Sequence, residues 1–330
     1  NKNPKNFHQW VANKFGERLF TIFFKSYTEK VWGINCDKIS ANWASQRIKD
    51  LNMFTVILTA LKDLVMIKNK NIPTTLIKSF YYPRKGPGML WEEAAKKILI
   101  KKGKIYMGSK VIDLEYSDNK KWIVSYLKNG KKFKIITNQI ISSMPIKELV
   151  SNIRPKMKAL KYADKLKYRD YITVAIILRK NKIFDDNWIY IHDPNVFVGR
   201  IQNYNSWSPD MIPNDYTSCL GLEFFCNEND KFWTMNNDDL NKLAIKELEY
   251  LKLAKKDDII DSCVVRQKKA YPVYDSNYQD NVNKVKDEFK KQYKNIHLIG
   301  RNGMHKYNNQ DHAMMTGILT VENILNEKEI

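Results

Sequence analysis

Residues 298–315 read LIGRNGMHKYNNQDHAMM, the stretch of the chain that most densely gathers groups able to do chemistry. An apolar run, IHLI, ends at Gly300. Arg301, His305, Tyr307, Asp311 and His312 follow, and an apolar-periodic segment, AMMTGILTVENIL, then begins. Glycine at the end of a strand allows the backbone to approach a ligand closely. A helix starting near Asp311–Ala313 would present free N–H groups and a partial positive charge, which suits a phosphate or an electron-rich carbonyl edge. The same residues also make an ordinary strand–loop–helix connector with Asp311 as N-cap. Taken alone, the stretch supports both readings equally.

Other chemistries are poorly represented. The four cysteines, Cys36, Cys219, Cys226 and Cys263, form no CxxC pair and have no histidine at metal-ligand spacing. They read as reduced thiols of a cytoplasmic protein. No acid/base dyad stands out, so no side chain is assigned a catalytic role. A G-x-G-x-x-G dinucleotide fingerprint needs three glycines within six residues, and only Gly86 and Gly88 come close, with Trp91 in the third place.

The net charge of +20 raises the question of nucleic acid. The lysines are scattered beside turn residues (KNKN, KKGK, KNGKKFK, KKQYK) and form no stripe with arginine and aromatics, so nucleic-acid binding is not expected. An anionic small substrate such as a nucleotide diphosphate fits the charge. The longest apolar runs, such as YITVAIIL, are too short to span a bilayer, and no signal peptide opens the chain. Homo-oligomerisation is left open.

The elements that must position these groups follow from periodicity. Helical spacing runs through Phe7–Tyr27, then a loop, SYTEKVWGINCDKISANWASQRIKDL, then helical residues 50–68. The turn-rich YYPRKGPG leads into a helix over 89–101, with acids in its first turn, lysines in its last and Gly103 beyond. KIYM, KVIDLEY, WIVSYL and KFKII read as strands, the last two joined by a KNGK turn, and QIISS (139–143) as another. Strands continue through 171–227 as YITVAIIL, NWIYIHD, VFVGRIQNY and SCLGLEFFC. Then come a helix over 238–253, the strand VVRQKKAYPVY (264–274), an amphipathic helix (281–293), the strand IHLI (296–299) and a closing helix from about His312. This order suggests an α/β domain interrupted by an α+β domain with an antiparallel sheet.

Five stretches, in order, carry a family resemblance. YTEKVWGINCDKISANWASQRI resembles the Tyr-Thr-x-Lys-x-Trp-Gly segment and mobile loop of UDP-galactopyranose mutases. KKAYPVYD resembles their Tyr-Pro-Ile/Val-Pro element, and GRNGMHKYNNQDHAMM their C-terminal flavin-contacting motif. YPRKGPGMLWEEAAKKI, and KVIDLE with NQIISSMP, resemble pieces shared by the wider amine oxidase and protoporphyrinogen oxidase superfamily. The likeness runs from about residue 18 to 325.

The resemblance implies a glutathione-reductase-type, Rossmann-like FAD-binding domain in residues 84–150 and 294–330. Residues 1–83 and 151–293 would form the substrate domain with its helical mobile-loop region. The N-terminal βαβ unit that carries the glycine fingerprint in that superfamily would be missing, so the chain reads as an N-terminally truncated form. Gly300 and Arg301 would sit at the isoalloxazine, with Gln310, Asp311 and His312 presenting the helix start to it. Val111 would bond the adenine through its backbone, and Gly88 and Met89 would open a cofactor-facing helix. Tyr271 and Tyr307 would hydrogen-bond a substrate diphosphate, Arg47 would clamp it from the mobile loop, Arg200 would add a second arginine, and Trp32 would line the nucleotide end. The implied activity is a redox-neutral ring contraction of a nucleotide sugar in polysaccharide synthesis, with N5 of reduced FAD as nucleophile. The rival expectations are an FAD-dependent oxidoreductase of the amine oxidase type, and a truncated, flavin-free fragment. Asn308-Asn309 stands where the mutases have Leu-Asp.

Overall fold

The computed structural model describes residues 3–47 and 80–326. The helix expected over 50–68 lies outside the described residues. In chain order the strands are β1 (Ser109–Tyr116), β2 (Trp122–Lys128), β3 (Lys131–Thr137), β4 (Ile140–Ser142), β5 (Ile153–Arg154), β6 (Tyr168–Leu178), β7 (Trp188–Tyr190), β8 (Arg200–Asn203), β9 (Ser218–Cys226), β10 (Ile259–Pro272) and β11 (Ile296–Leu298). The chain divides into two compact units, 1–97 with 170–268 and 98–169 with 269–330. Residues 269–293 therefore keep company with 98–169, whereas the division by function placed them with the substrate region.

The first unit is built on one sheet of order β10-β6-β9-β8-β7. β6 pairs antiparallel with β9 from Asp170↔Cys226 to Leu178↔Ser218, and β8 pairs antiparallel with both β9 and β7. Alternation along YITVAIIL sends Ile172, Val174, Ile176 and Leu178 into the core, where they meet Leu220, Leu222 and Phe224 of β9. Each such side chain contributes roughly 1.5–3 kcal/mol by leaving water. The helix Asn237–Tyr250 covers this core with Leu240, Ala244 and Leu248, at spacings of four residues, and is capped by Asn236, whose side chain accepts the Asp239 N–H.

The N-terminal helical run differs from expectation in two ways. It breaks at Gly16 (φ 85°), passes through a π-helical turn over Phe20–Lys25, and continues as Ser26–Trp32 until Gly33 takes the left-handed conformation (φ 64°). SYTEKVW, expected as loop, is thus helix. Its polar look reflects a helix with a polar outer face, and the glycine that seemed part of the loop is the C-cap.

In the second unit, β1, β2 and β3 form an antiparallel meander, and β5 adds parallel to β1 in the order β3-β2-β1-β5. The β2–β3 hairpin closes on Asn129-Gly130, both at positive φ (49° and 74°), as a tight primed turn requires. KIYM, expected as a strand, is irregular and exposed. Lys102 takes a left-handed turn, Gly103 donates its N–H to Ile98 O, and Gly108 turns again at φ 65°. The segment is spent between two turns and pairs with no strand among the described residues.

A separate pair, β4 with β11, is parallel, with Ile296↔Ile140 and Leu298↔Ser142 in register. The helices Tyr278–Gln292 and Gln310–Leu325 flank β11 in sequence. Among the described residues no helix is long and apolar enough to cross a membrane, and no cluster of His, Cys, Asp and Glu could hold a metal ion.

Candidate functional site

The site grows from the end of β11. Ile299 donates its N–H to Ser142 O (3.0 Å), prolonging the parallel pairing by one bond. Gly300 then turns the chain at φ 67° and donates its N–H to Thr316 Oγ1 (2.9 Å) on the following helix. A side chain at Gly300 would have room, so the conformation is what asks for glycine there. Gly303 is constrained by space: a Cβ would lie 2.5 Å from Ser142 O. GRNG, expected as loop, closes a single helical turn, Gly300–Gly303, because both glycines let it fold tightly onto the β4 end.

That turn aims Arg301 at two tyrosines. Its Nε donates to Asn308 O (2.9 Å) and Nη1 to Ala270 O (3.0 Å). The guanidinium lies 5.0 Å from the Tyr271 ring centroid and 4.8 Å from that of Tyr307. The two rings stack almost parallel, 5.6 Å apart at 9°. Asn302 Nδ2 donates to Lys269 O (2.9 Å), tying the turn to the end of β10, and Tyr307 N–H donates to Tyr274 Oη (2.7 Å). Tyr274 stacks in turn on Tyr278 at 4.1 Å. The result is an arginine pinned by the backbone carbonyls of Ala270 and Asn308, with two stacked tyrosine rings against its guanidinium. Both bonds go to carbonyls, so the Asn308 side chain does not enter the clamp.

His305, which carried no assigned role, is the keystone under the loop. It is 2% exposed, sits at φ 49°, and packs edge-on against Tyr168 (5.0 Å). Its Nε2–H donates to Val273 O at 3.4 Å, and Nδ1 has no hydrogen-bond partner among the described residues. Burial pushes its pKa down to about 4.

Beyond the loop, Asn309 is the N-cap of the helix Gln310–Leu325 but makes no side-chain cap bond, and Gln310, Asp311 and His312 are exposed. The cap expected from Asp311 is therefore one or two residues out of place: Asp311 sits inside the first turn and pairs with His312 Nδ1 at 3.1 Å. The helix start keeps its N–H groups uncovered by side chains.

The remaining expected residues are spread over the structure. Val111 lies on β1 next to a register shift between Val111 and Asp113. Gly88 and Met89 open the helix Gly88–Ile100, where Met89 Sδ accepts the Lys85 N–H (3.1 Å). Arg47 ends the helix Ala41–Arg47, and its side chain lies outside the described structure. Trp32 is 2% exposed and packs edge-on against Trp43 at 5.2 Å, a core position with no open face for a ligand. Arg200 turns its guanidinium to Glu223, with Nε and Nη2 at 2.8 and 2.6 Å from Oε2, while Gln202 Nε2 donates to Glu223 Oε1 (3.1 Å). That arginine balances a buried carboxylate. Sequence reasoning also passed over an aromatic ladder in the first unit: Trp188 stacks on Trp207 at 5.4 Å, and Phe80 and Tyr82 add to it at 5.6 and 4.9 Å. Its signal was the density of aromatics around NYNSW.

Comparison with solved structures places this arrangement. The whole chain superposes on 70% of a reduced UDP-galactopyranose mutase with a TM-score of 0.82 at 20% identity. The chain has the fold of UDP-galactopyranose mutase. A protoporphyrinogen oxidase homologue from Exiguobacterium sp. 255-15 matches 96% of the chain and 67% of its own length (TM-score 0.67, 13% identity). A putrescine oxidase matches 74% of the chain and 54% of its own length (TM-score 0.55, 11% identity). No protein-family profile matches the sequence.

Proposed function

We propose that this chain is a flavin-dependent enzyme that rearranges a nucleotide sugar without net redox change, a ring contraction serving polysaccharide synthesis. The observation that carries the proposal is the Arg301–Tyr271–Tyr307 cluster, built at the end of β11 and beside an uncapped helix start.

The residues fit a flavin at one end of the cofactor. Gly300 turns the backbone at φ 67°, and the N–H groups of the Gln310–Leu325 helix face outward uncapped, as an electron-rich carbonyl edge requires. At the other end, no glycine-rich phosphate turn is present in the sequence. Bound and reduced, FAD would supply the nucleophile for an anomeric carbon.

The chain's own contributions are positional. Tyr271 and Tyr307 are the proposed donors of phenolic hydrogen bonds to diphosphate oxygens. Arg301, pinned by two carbonyls, holds the rings in register and adds positive charge beside them. Neutral His305 stiffens the loop from beneath without adding a competing charge. None of these groups needs to accept a proton during the reaction. Gln310, Asp311, His312, Val111, Gly88 and Met89 are proposed cofactor contacts, and Arg47 a proposed diphosphate contact.

The test is an anaerobic assay of the full chain with FAD, dithionite and UDP-galactose in its pyranose and furanose forms. Redox-neutral interconversion that needs reductant is expected. Consumption of oxygen or a quinone without ring interconversion would replace the proposal with the oxidase reading that the two oxidase-like folds support. An absence of bound flavin would leave a flavin-free fragment.

A further inference from the structure

The second unit holds a cavity of about 690 Å³ that the proposed reaction does not use. It lies beside the beginning of β11, at Ile296–Leu298, between the last turns of Tyr278–Gln292 and residues Thr320–Ile324 of the closing helix. Its floor is apolar, with Phe289 and Ile324, and its rim carries Lys286, Lys290 and Lys294. No carboxylate is among its described lining residues.

Lysine is abundant in this chain, so the arrangement must be separated from background. Two features do so. Lys286 and Lys290 are four residues apart, so they project from one face of the helix about 6 Å apart along its axis. Among the described residues neither forms an ion pair, although elsewhere the acidic residues of this lysine-rich chain pair readily with their neighbours. Lys286 is also half-buried, and burial together with Lys306 and Lys290 pushes its pKa down. Favourable interaction with the helix C-terminus accounts for Lys290 in the last turn but not for a second, partly buried like charge one turn earlier. On the opposite wall His297 is fixed by its Nε2 contact with Gln139 Oε1 (2.9 Å), and its pKa is lowered by burial.

We propose that this cavity binds a small organic anion with an apolar body, the anionic head lying between Lys286 and Lys290 and the body over Phe289 and Ile324. A phosphate or carboxylate head is the shared chemistry, and the apolar floor distinguishes such a ligand from a free inorganic ion. The site is independent of the flavin reading, since none of the residues assigned to cofactor or substrate lines it.

The test uses the full chain labelled at its methionine methyls, titrated with phenyl phosphate at constant ionic strength. Met304 also lines the cavity and reports on it. The expected result is a saturable shift of the Met304 methyl and a weakening by about ten-fold or more in Lys286→Gln/Lys290→Gln, from loss of two charge-assisted contacts. The charge-matched Lys131→Gln/Lys132→Gln on β3 should keep the original affinity, and inorganic phosphate should bind more weakly than phenyl phosphate. Without ligand, Lys286→Gln/Lys290→Gln should melt at or above the temperature of the unaltered chain, because like-charge repulsion is removed. Equal weakening in both double variants would assign the binding to overall charge and overturn the proposal. So would a Met304 methyl that stays still at saturation, an absence of saturable binding, or a lower melting temperature in the ligand-free Lys286→Gln/Lys290→Gln variant.

Discussion

Two regions of the molecule solve opposite problems. The five-stranded sheet of the first unit buries its apolar face completely: Ile172, Val174, Ile176, Leu178, Leu220 and Leu222 are all at 0% exposure. The closing helix Gln310–Leu325 of the second unit buries only Thr320, and Met315, Ile318, Leu319, Val321 and Leu325 are exposed. One region is held by side-chain packing. The other is held by backbone geometry, through parallel pairing of β4 with β11, two glycines, a pinned arginine and a buried neutral histidine. A packed sheet tolerates chemistry poorly, whereas a loop held by its backbone leaves tyrosine, arginine and helix N–H groups available to a ligand.

The comparison breaks first under truncation. Leu222→Ala should cost roughly 2–5 kcal/mol of stability because it opens a cavity in a closed core. Leu319→Ala should stay within about 0.5 kcal/mol, as exposed substitutions do. Chemical denaturation followed by tryptophan fluorescence and circular dichroism measures both. Similar costs at the two positions would mean that the closing helix is packed as tightly as the sheet.

The next largest effect belongs to His305. Its folded pKa of about 4 lies below the ordinary 6.5, so the unfolded chain binds a proton over that interval and the folded chain does not. Stability is therefore complete above pH 6.5 and declines as pH falls toward 4, by on the order of 3 kcal/mol in all. His305→Asn, which tolerates the positive φ, should flatten this dependence in unfolding measurements across that range. A variant with an unchanged slope would remove His305 as the cause.

Gly303→Ala forces a methyl against Ser142 O and should cost about 1–3 kcal/mol. Gly300→Ala has room for its Cβ but must hold φ 67°, and should cost about 1 kcal/mol. Thermal melts that rank the two in the opposite order would place the constraint in the turn's conformation instead of its contact with β4. Arg301→Lys is expected to act on stability to about the same degree as Gly300→Ala. It loses the planar fork that reaches both Asn308 O and Ala270 O, at about 1–2 kcal/mol, and should weaken any diphosphate binding through Tyr271 and Tyr307 more than it lowers the melting temperature.

These regions were not equally legible in the sequence. The first unit's sheet could be read because YITVAIIL and SCLGLEFFC carry the period and the apolar density of buried strands, and in the second unit Asn129-Gly130 dictates the β2–β3 hairpin turn. KIYM looked like a strand because periodicity cannot see that Lys102 and Gly108 turn the chain on either side. The glycines, arginine and tyrosine of 300–307 were visible as a concentration of chemistry. What could not be read is which partner each charge would find. Arg200 is matched to Glu223 across neighbouring strands, and Trp32 is turned into the core by a helix that continues to Gly33. His305 had no sequence signal beyond its place in the loop, because its role comes from burial against Tyr168 and Val273, distant in the chain.

The central claim is that the Gly300 turn and the uncapped start of Gln310–Leu325 face a flavin. Titration of the purified 330-residue chain with FAD, followed by flavin absorbance and fluorescence, tests it most directly. The account predicts saturable binding with a perturbed flavin spectrum, weakened by Gly300→Val and by Arg301→Ala while a core-neutral change such as Leu319→Ala has no effect. Absence of saturable FAD binding by the folded chain, or binding indifferent to Gly300 and Arg301, would contradict it.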